Sequence, residues 1–183
     1  MDTKKMRRTR DDLLQGITLA VPAEPGRLFT ALCDAMARRH GVPVEHRVVP
    51  FPVSTVSGLM VKTKSRNLIL IESDTDPEHQ LCILGHEFWH IEADGPRGAM
   101  LGDEDYAALL SPGITAADVD RIAERSAART DCEKHEEAEC ELFGSLLAMK
   151  SKHWLNKGST MQTPTSSFGR KLSVSLGPGG GTW

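Results

Sequence analysis

The stretch "LGHEFWHIE", residues 84–92, sets His86 and His90 four positions apart, with Glu87 directly after the first. On a helix, residues four apart stand one above the other, so both imidazoles can aim at a single point. Zinc-type hydrolysis needs two neutral imidazoles on a rigid frame and a carboxylate beside them that takes a proton from water. His-Glu-x-x-His on a helix supplies all three. His86 and His90 are therefore the expected metal ligands and Glu87 the expected general base. The competing reading is a chance match, a risk that any short pattern carries.

The flanking residues favour the helix. Asp76 followed by Pro77 reads as an N-cap with proline at the first helical position. Leu81, Leu84, Phe88 and Ile91 then recur at i, i+3, i+7 and i+10, an apolar stripe that would press a largely buried helix onto a sheet. The sheet precedes it. "VEHRVVPF", "SGLMVKT" and "NLILIES" are short β-branched and aliphatic runs, the last two joined by the polar "KSR". They predict a small antiparallel sheet of about three strands that contains a hairpin.

Farther upstream, "RLFTALCDAMARRHG" carries Leu28, Leu32, Ala35 and Met36 at helical spacing, with Arg38 and Arg39 in the last turn and Gly41 as its stop. Downstream, residues 92–115 are acidic and then Gly/Pro-rich, and are expected to be an irregular excursion over the active-site side. Thr115 is a plausible N-cap for the helix "TAADVDRIAERSAART". "CEKHEEAECELFGSLLAMKSK" predicts a last helix with Leu142, Leu146 and Met149 on its apolar stripe. The fold class is α+β. The expected organisation is a basic, partly ordered segment at 1–27, one domain at 28–156 and a Ser/Gly/Pro-rich tail at 157–183 in which "KLSVSL" is a possible strand.

Bulk properties narrow the functions. The 183 residues, 39% of them hydrophobic, suffice for one core, and a net charge of −3 gives no global basic footprint for nucleic acid. The opening "MDTKKMRRTR" is basic but is followed by no apolar h-region, and no apolar run is long enough to span a bilayer, so a cytoplasmic protein without membrane contact is expected. Cys33, Cys82, Cys132 and Cys140 form no Cys-x-x-Cys pair and read as reduced thiols.

"HEFWHIEADGP" lacks the x-x-G-x-x-H continuation that would put a third histidine nearby, so a third ligand must come from farther along. Glu136 and Glu137 are adjacent acids on the last helix. Because a helix turns about 100° per residue, only one of them can face the metal.

"HEFWH" followed by "EEAECELFGSLLAM" resembles the ImmA/IrrE-type metallopeptidases, whose active-site helix precedes one of the form E-A-x-x-F-A-x-x-L-L. It is also similar to the thermolysin-like gluzincins, in which a glutamate directly before alanine binds zinc and an acid four residues on supports a ligand histidine. The resemblance covers residues 28–150 or so and implies a minimal gluzincin-like fold. It implies Glu137 as third ligand to one catalytic Zn2+, with Mn2+ or another divalent ion as substitutes. It also implies Glu141 as the carboxylate behind a ligand histidine. Short actinobacterial proteins described as toxins and encoded beside helix-turn-helix repressors are the nearest likeness, which implies a metallopeptidase that cleaves such a repressor. The alternative is an idle metal-binding protein, or a toxin component, that works by binding a repressor or antitoxin.

Other residues carry weaker signals. His135, two residues before Glu137, would point away from the same metal. Cys82 lies four before His86, within reach of the site, though a packed cysteine more often acts as a small hydrophobe. Tyr106 reads first as a surface residue and second as a loop hydroxyl able to donate to an oxyanion.

Overall fold

The computed structural model describes residues 2–52, 57–63, 65–93, 99–100, 103–111, 113–127 and 134–155. The described residues form helices α1 (Thr3–Leu14), α2 (Pro25–His40), α3 (Pro77–Glu92), α4 (Asp103–Leu110), α5 (Ala116–Ala127) and α6 (Lys134–Ser151). The strands are β1 (Val44–Val49), β2 (Gly58–Lys62), β3 (Asn67–Glu72) and β4 (Ala99–Met100). The α+β class is as expected. The anticipated tail, with its "KLSVSL" strand, lies outside the described residues.

β3 organises the sheet, whose order is β1-β3-β2-β4. Its residues Asn67 to Ile71 are all buried, because helices cover both faces. Ile69 and Ile71 face one cluster together with Met60, α2, α3 and α6. Leu68 and Leu70 face the other with Leu59, Val61, Tyr106, Leu109, Val119 and Ile122. The β2/β3 hairpin is antiparallel as expected, closed by Thr63, whose N–H donates to the Arg66 carbonyl at 2.9 Å. The sheet as a whole is mixed, however. β1 pairs with β3 in parallel, and β4 joins β2 in parallel at Val61 and Lys62. The chain reverses between β1 and β2 and again at the hairpin, so β3 regains the direction of β1 and slots between the two earlier strands, where its doubly apolar run gains a ladder on each side.

Local signals hold at the helix ends. Asp76 accepts from the Glu78 and His79 N–H groups at 3.0 Å each, and Gly41 ends α2 at φ 69°. Thr115 Oγ1 accepts from Asp118 N–H at 3.3 Å while the Asp118 carboxylate takes the Thr115 N–H at 3.1 Å, a reciprocal cap for α5.

Three expectations are corrected. The basic start, expected to be only partly ordered, forms helix α1, with Met6, Thr9 and Leu13 buried, since apolar residues seven apart face the core beneath a basic surface. The described part of the excursion after α3 is not irregular throughout: it forms β4 and α4, and Tyr106 and Leu109 of α4 pack on the sheet face opposite α3, the carbonyls of Leu109 and Ser111 accepting from Arg47. On α6 the buried apolar side chains described are Cys140, Phe143, Leu147 and Ala148, whereas Leu142 and Leu146 are half-buried and Met149 is exposed.

A charge cluster ties the end of α3 to α1 and α2. Arg39 grips the Glu92 carboxylate with Nε at 2.8 Å and Nη2 at 2.9 Å, His40 Nε2 lies 3.1 Å away, and a third Arg39 nitrogen reaches Asp12 at 3.2 Å. The Glu92 side chain is only 6% exposed. Burial alone would raise its pKa, but the hydrogen bonds and charges of Arg39 and His40 outweigh that and hold it below the ordinary carboxylate value. A carboxyl whose folded pKa is depressed adds stability above its unfolded pKa and loses it as pH falls through the folded one. Glu92→Gln should therefore cost about 1–3 kcal/mol at neutral pH. Denaturant melts should show that difference shrinking as the wild-type carboxylate becomes protonated in acid; a deficit that stays constant with pH would contradict the assignment.

Candidate metal centre

α3 lies between the sheet and α6, and the α3–α6 interface builds the site. Gly85 and Gly144 meet at the crossing. A Cβ on Gly85 would lie 2.8 Å from Gly144 Cα, and one on Gly144 would strike the Cys82 carbonyl and come within 3.1 Å of the His86 nitrogen. Neither position has room for a side chain. With the backbones in contact, the first turns of α6 reach the histidine face of α3.

There His86 Nε2 and His90 Nε2 stand 3.1 Å apart, their rings edge to face with centroids at 4.9 Å. Glu137 faces both rings with different oxygens, Oε2 at 3.4 Å from His86 Nε2 and Oε1 at 3.7 Å from His90 Nε2. Donors at tetrahedral corners around zinc, each about 2.0–2.1 Å from it, are separated by about 3.3 Å. The His86–His90 edge and the two Glu137 edges, which end on different oxygens of its carboxylate, lie close to that value, and two imidazoles with a carboxylate are a suitable donor set, so the residues fit a divalent ion. The site is also accessible from solvent, since the Glu137 side chain is 42% exposed and that of His86 23%. Burial, opposed by the charges of Glu137 and Glu141, lowers the His86 pKa and favours the neutral ring that a metal requires.

Glu87 points to the neighbouring face, toward β2. It is buried against Gly58, where a Cβ would come within 2.7 Å of Glu87 Oε1 and 2.5 Å of Ile83 Cγ2. It also makes a backbone hydrogen bond with Met60. Burial first, and the Glu137 charge second, push the carboxyl up to about 8, with the Met60 bond opposing. A dication beside it would favour the charged form and bring that value down.

Behind His90 sits Cys140, buried, with Sγ 3.5 Å from Nδ1. His86, His90 and Cys140 form a group able to hold a metal ion, their ligand-type atoms all within 4.8 Å of one another. The structure thus brings together His86, Glu87, His90 and Glu137. Glu141 is exposed and acts on His86 as a through-space charge, while Cys140 is in contact with the outer nitrogen of His90. Tyr106 is not in the site: its hydroxyl donates to Glu45 Oε2 at 2.8 Å on the far sheet face. Cys82 is half-buried on α3 and lies outside the metal-binding group, and the side chain of His135 lies outside the described residues.

Sequence reasoning missed Gly58, Gly85, Gly144 and the contact made by Cys140. The available signal was small residues on two apolar helices, Gly85 directly before His86 and Gly144 seven after Glu137, where a helix returns to the same face.

The chain matches none of the protein-family models, none of the curated proteins and none of the solved structures with which it was compared. The site therefore stands on its geometry, which makes a direct prediction. Gly144→Ala should cost about 1–3 kcal/mol or more by forcing the helices apart, and should lower zinc uptake. Gly26→Ala, where a Cβ meets nothing within 4 Å, should change neither. Equilibrium dialysis and thermal melts on both variants check this, and normal zinc uptake by Gly144→Ala would contradict it.

Proposed function

We propose that this chain is a zinc-dependent peptidase acting in the cytoplasm on a specific regulatory protein. The observation that carries the reading is the convergence of His86 Nε2, His90 Nε2 and the two Glu137 carboxylate oxygens at separations of 3.1–3.7 Å, beside the buried Glu87 carboxyl. A fully enclosed arrangement would suit a structural ion, whereas partial exposure of Glu137 and His86 leaves an approach for water and substrate.

In this reading His86, His90 and Glu137 hold the ion. When bound, it supplies Lewis acidity toward a carbonyl oxygen and makes water nucleophilic at neutral pH. Glu87 takes the proton from that water and returns it to the departing amine nitrogen, two transfers that one carboxyl can perform in sequence. The Gly58 backbone and the Met60 hydrogen bond hold Glu87 in one place, so that little reorganisation is needed when it acts. In this reading an edge strand of the sheet holds an extended peptide by adding it to the ladder. The substrate class follows from the resemblance to ImmA/IrrE-type proteins and is a helix-turn-helix repressor.

Two measurements test the proposal. Zinc-loaded chain incubated with the repressor encoded beside it should yield a discrete cut, and Glu87→Gln should keep the zinc but cleave about 10²–10⁴-fold more slowly. By elemental analysis, Glu137→Ala should lose zinc and Glu136→Ala retain it. An intact repressor that co-purifies with zinc-loaded chain would replace the peptidase reading with a binding role, and zinc retained in Glu137→Ala would overturn the ligand set.

A further inference from the structure

We infer that Cys140 is a positioning residue for His90, its sulfur receiving the Nδ1 proton of the ring whose Nε2 faces the metal. This rests on the metal-site reading above and extends it to a residue that the His-Glu-x-x-His pattern does not contain.

The two nitrogens of His90 have different neighbours. Nε2 lies 3.1 Å from His86 Nε2 and 3.7 Å from Glu137 Oε1, whereas Nδ1 lies 3.5 Å from Cys140 Sγ. A ring that coordinates through one nitrogen carries its proton on the other, and an acceptor there fixes the tautomer and the ring plane. Cys140 is 1% exposed, so bulk water does not compete for that proton. It stands three residues after Glu137, on the α6 face that Gly144 brings against α3, so one helix delivers both a ligand and the acceptor behind another ligand.

Direct coordination by the thiolate is the competing arrangement. With zinc–sulfur bonds of about 2.3 Å and zinc–nitrogen bonds of about 2.0–2.1 Å, ligand atoms should lie about 3.3–3.6 Å apart. The ligand-type atoms of His86, His90 and Cys140 are held only within 4.8 Å of one another, a looser bound than the 3.1–3.7 Å separations between the two Nε2 atoms and from them to the Glu137 carboxylate oxygens. The sulfur approaches His90 on its Nδ1 side, whereas Nε2 is the nitrogen that faces His86. A sulfur acceptor is also weaker than the oxygen acceptors usual behind ligand histidines, so it orients the ring while adding little to its basicity.

The test is titration of the full-length chain with Co2+, followed by zinc competition against a chromophoric chelator. The variants are Cys140→Ala and near-isosteric Cys140→Val, which lack an acceptor, and Cys140→Ser, which keeps one. Wild type should give cobalt d–d bands without a sulfur-to-cobalt charge-transfer band in the near ultraviolet. The Ala and Val variants should bind zinc about 10- to 100-fold more weakly, and Ser should recover most of that loss. Melts of the metal-free variants identify any that fail to fold, and Val and Ser carry the test if Ala does. A charge-transfer band that disappears in Cys140→Ser would make the sulfur a ligand and overturn the inference. Unchanged affinity in a folded Ala or Val variant would overturn it too, leaving Cys140 a core residue. Wild type that takes up neither cobalt nor zinc would remove the metal centre itself, a failure distinct from both.

Discussion

The backbone contact between Gly85 on α3 and Gly144 on α6 is the constraint on which the rest depends. Side chains usually keep packed helix axes about 8–10 Å apart, and the lower end of that range needs small residues at the crossing. Here a Cβ on either glycine would collide with the opposite helix. The close approach lets a carboxylate on α6 reach two imidazoles on α3, and lets Cys140 sit behind one of those rings. All the proposed ligands thus come from two helices whose spacing is set by packing rather than from mobile loops, the arrangement that best holds a metal geometry.

Around that contact the fold serves to hold α3 still. Its apolar stripe of Leu81, Leu84 and Phe88 is fully buried between sheet and helices, and its N-terminus is capped by Asp76. Its C-terminal end carries a carboxylate, Glu92, that the helix dipole disfavours, and the cations of α1 and α2 offset that cost. Trp89, stacked on Phe143 at 4.8 Å and donating to Glu139 at 3.4 Å, adds a second link between α3 and α6. With both ends and two faces anchored, Glu87 can be kept buried beside the candidate site, where a carboxyl exposed to water would not be driven up to about 8.

Most of the local structure was legible because it rests on local physics. The cap at Asp76, the stop at Gly41, the β2/β3 hairpin and the spacing of His86 and His90 each involve residues close in sequence. What was not legible depends on distant partners. Nothing local says that β1 lies parallel to β3, because that follows from where the chain returns after β2. α1 reads as a basic segment until α2 and α6 supply a surface for Met6 and Leu13. The α6 stripe was misassigned because α6 is apolar on more than one face, and only the glycine crossing determines which face meets α3. Cys140 was read as a bare thiol for the same reason: its role exists only across fifty residues of chain, at His90.

The measurement that tests the central claim most directly is anomalous diffraction at the zinc edge from crystals of the zinc-loaded chain. The account predicts one peak between α3 and α6, about 2.0–2.2 Å from His86 Nε2, His90 Nε2 and a Glu137 carboxylate oxygen, with Cys140 Sγ outside bonding distance. A peak on the Nδ1 side of His90 against the sulfur, or no peak between the two helices, would contradict it.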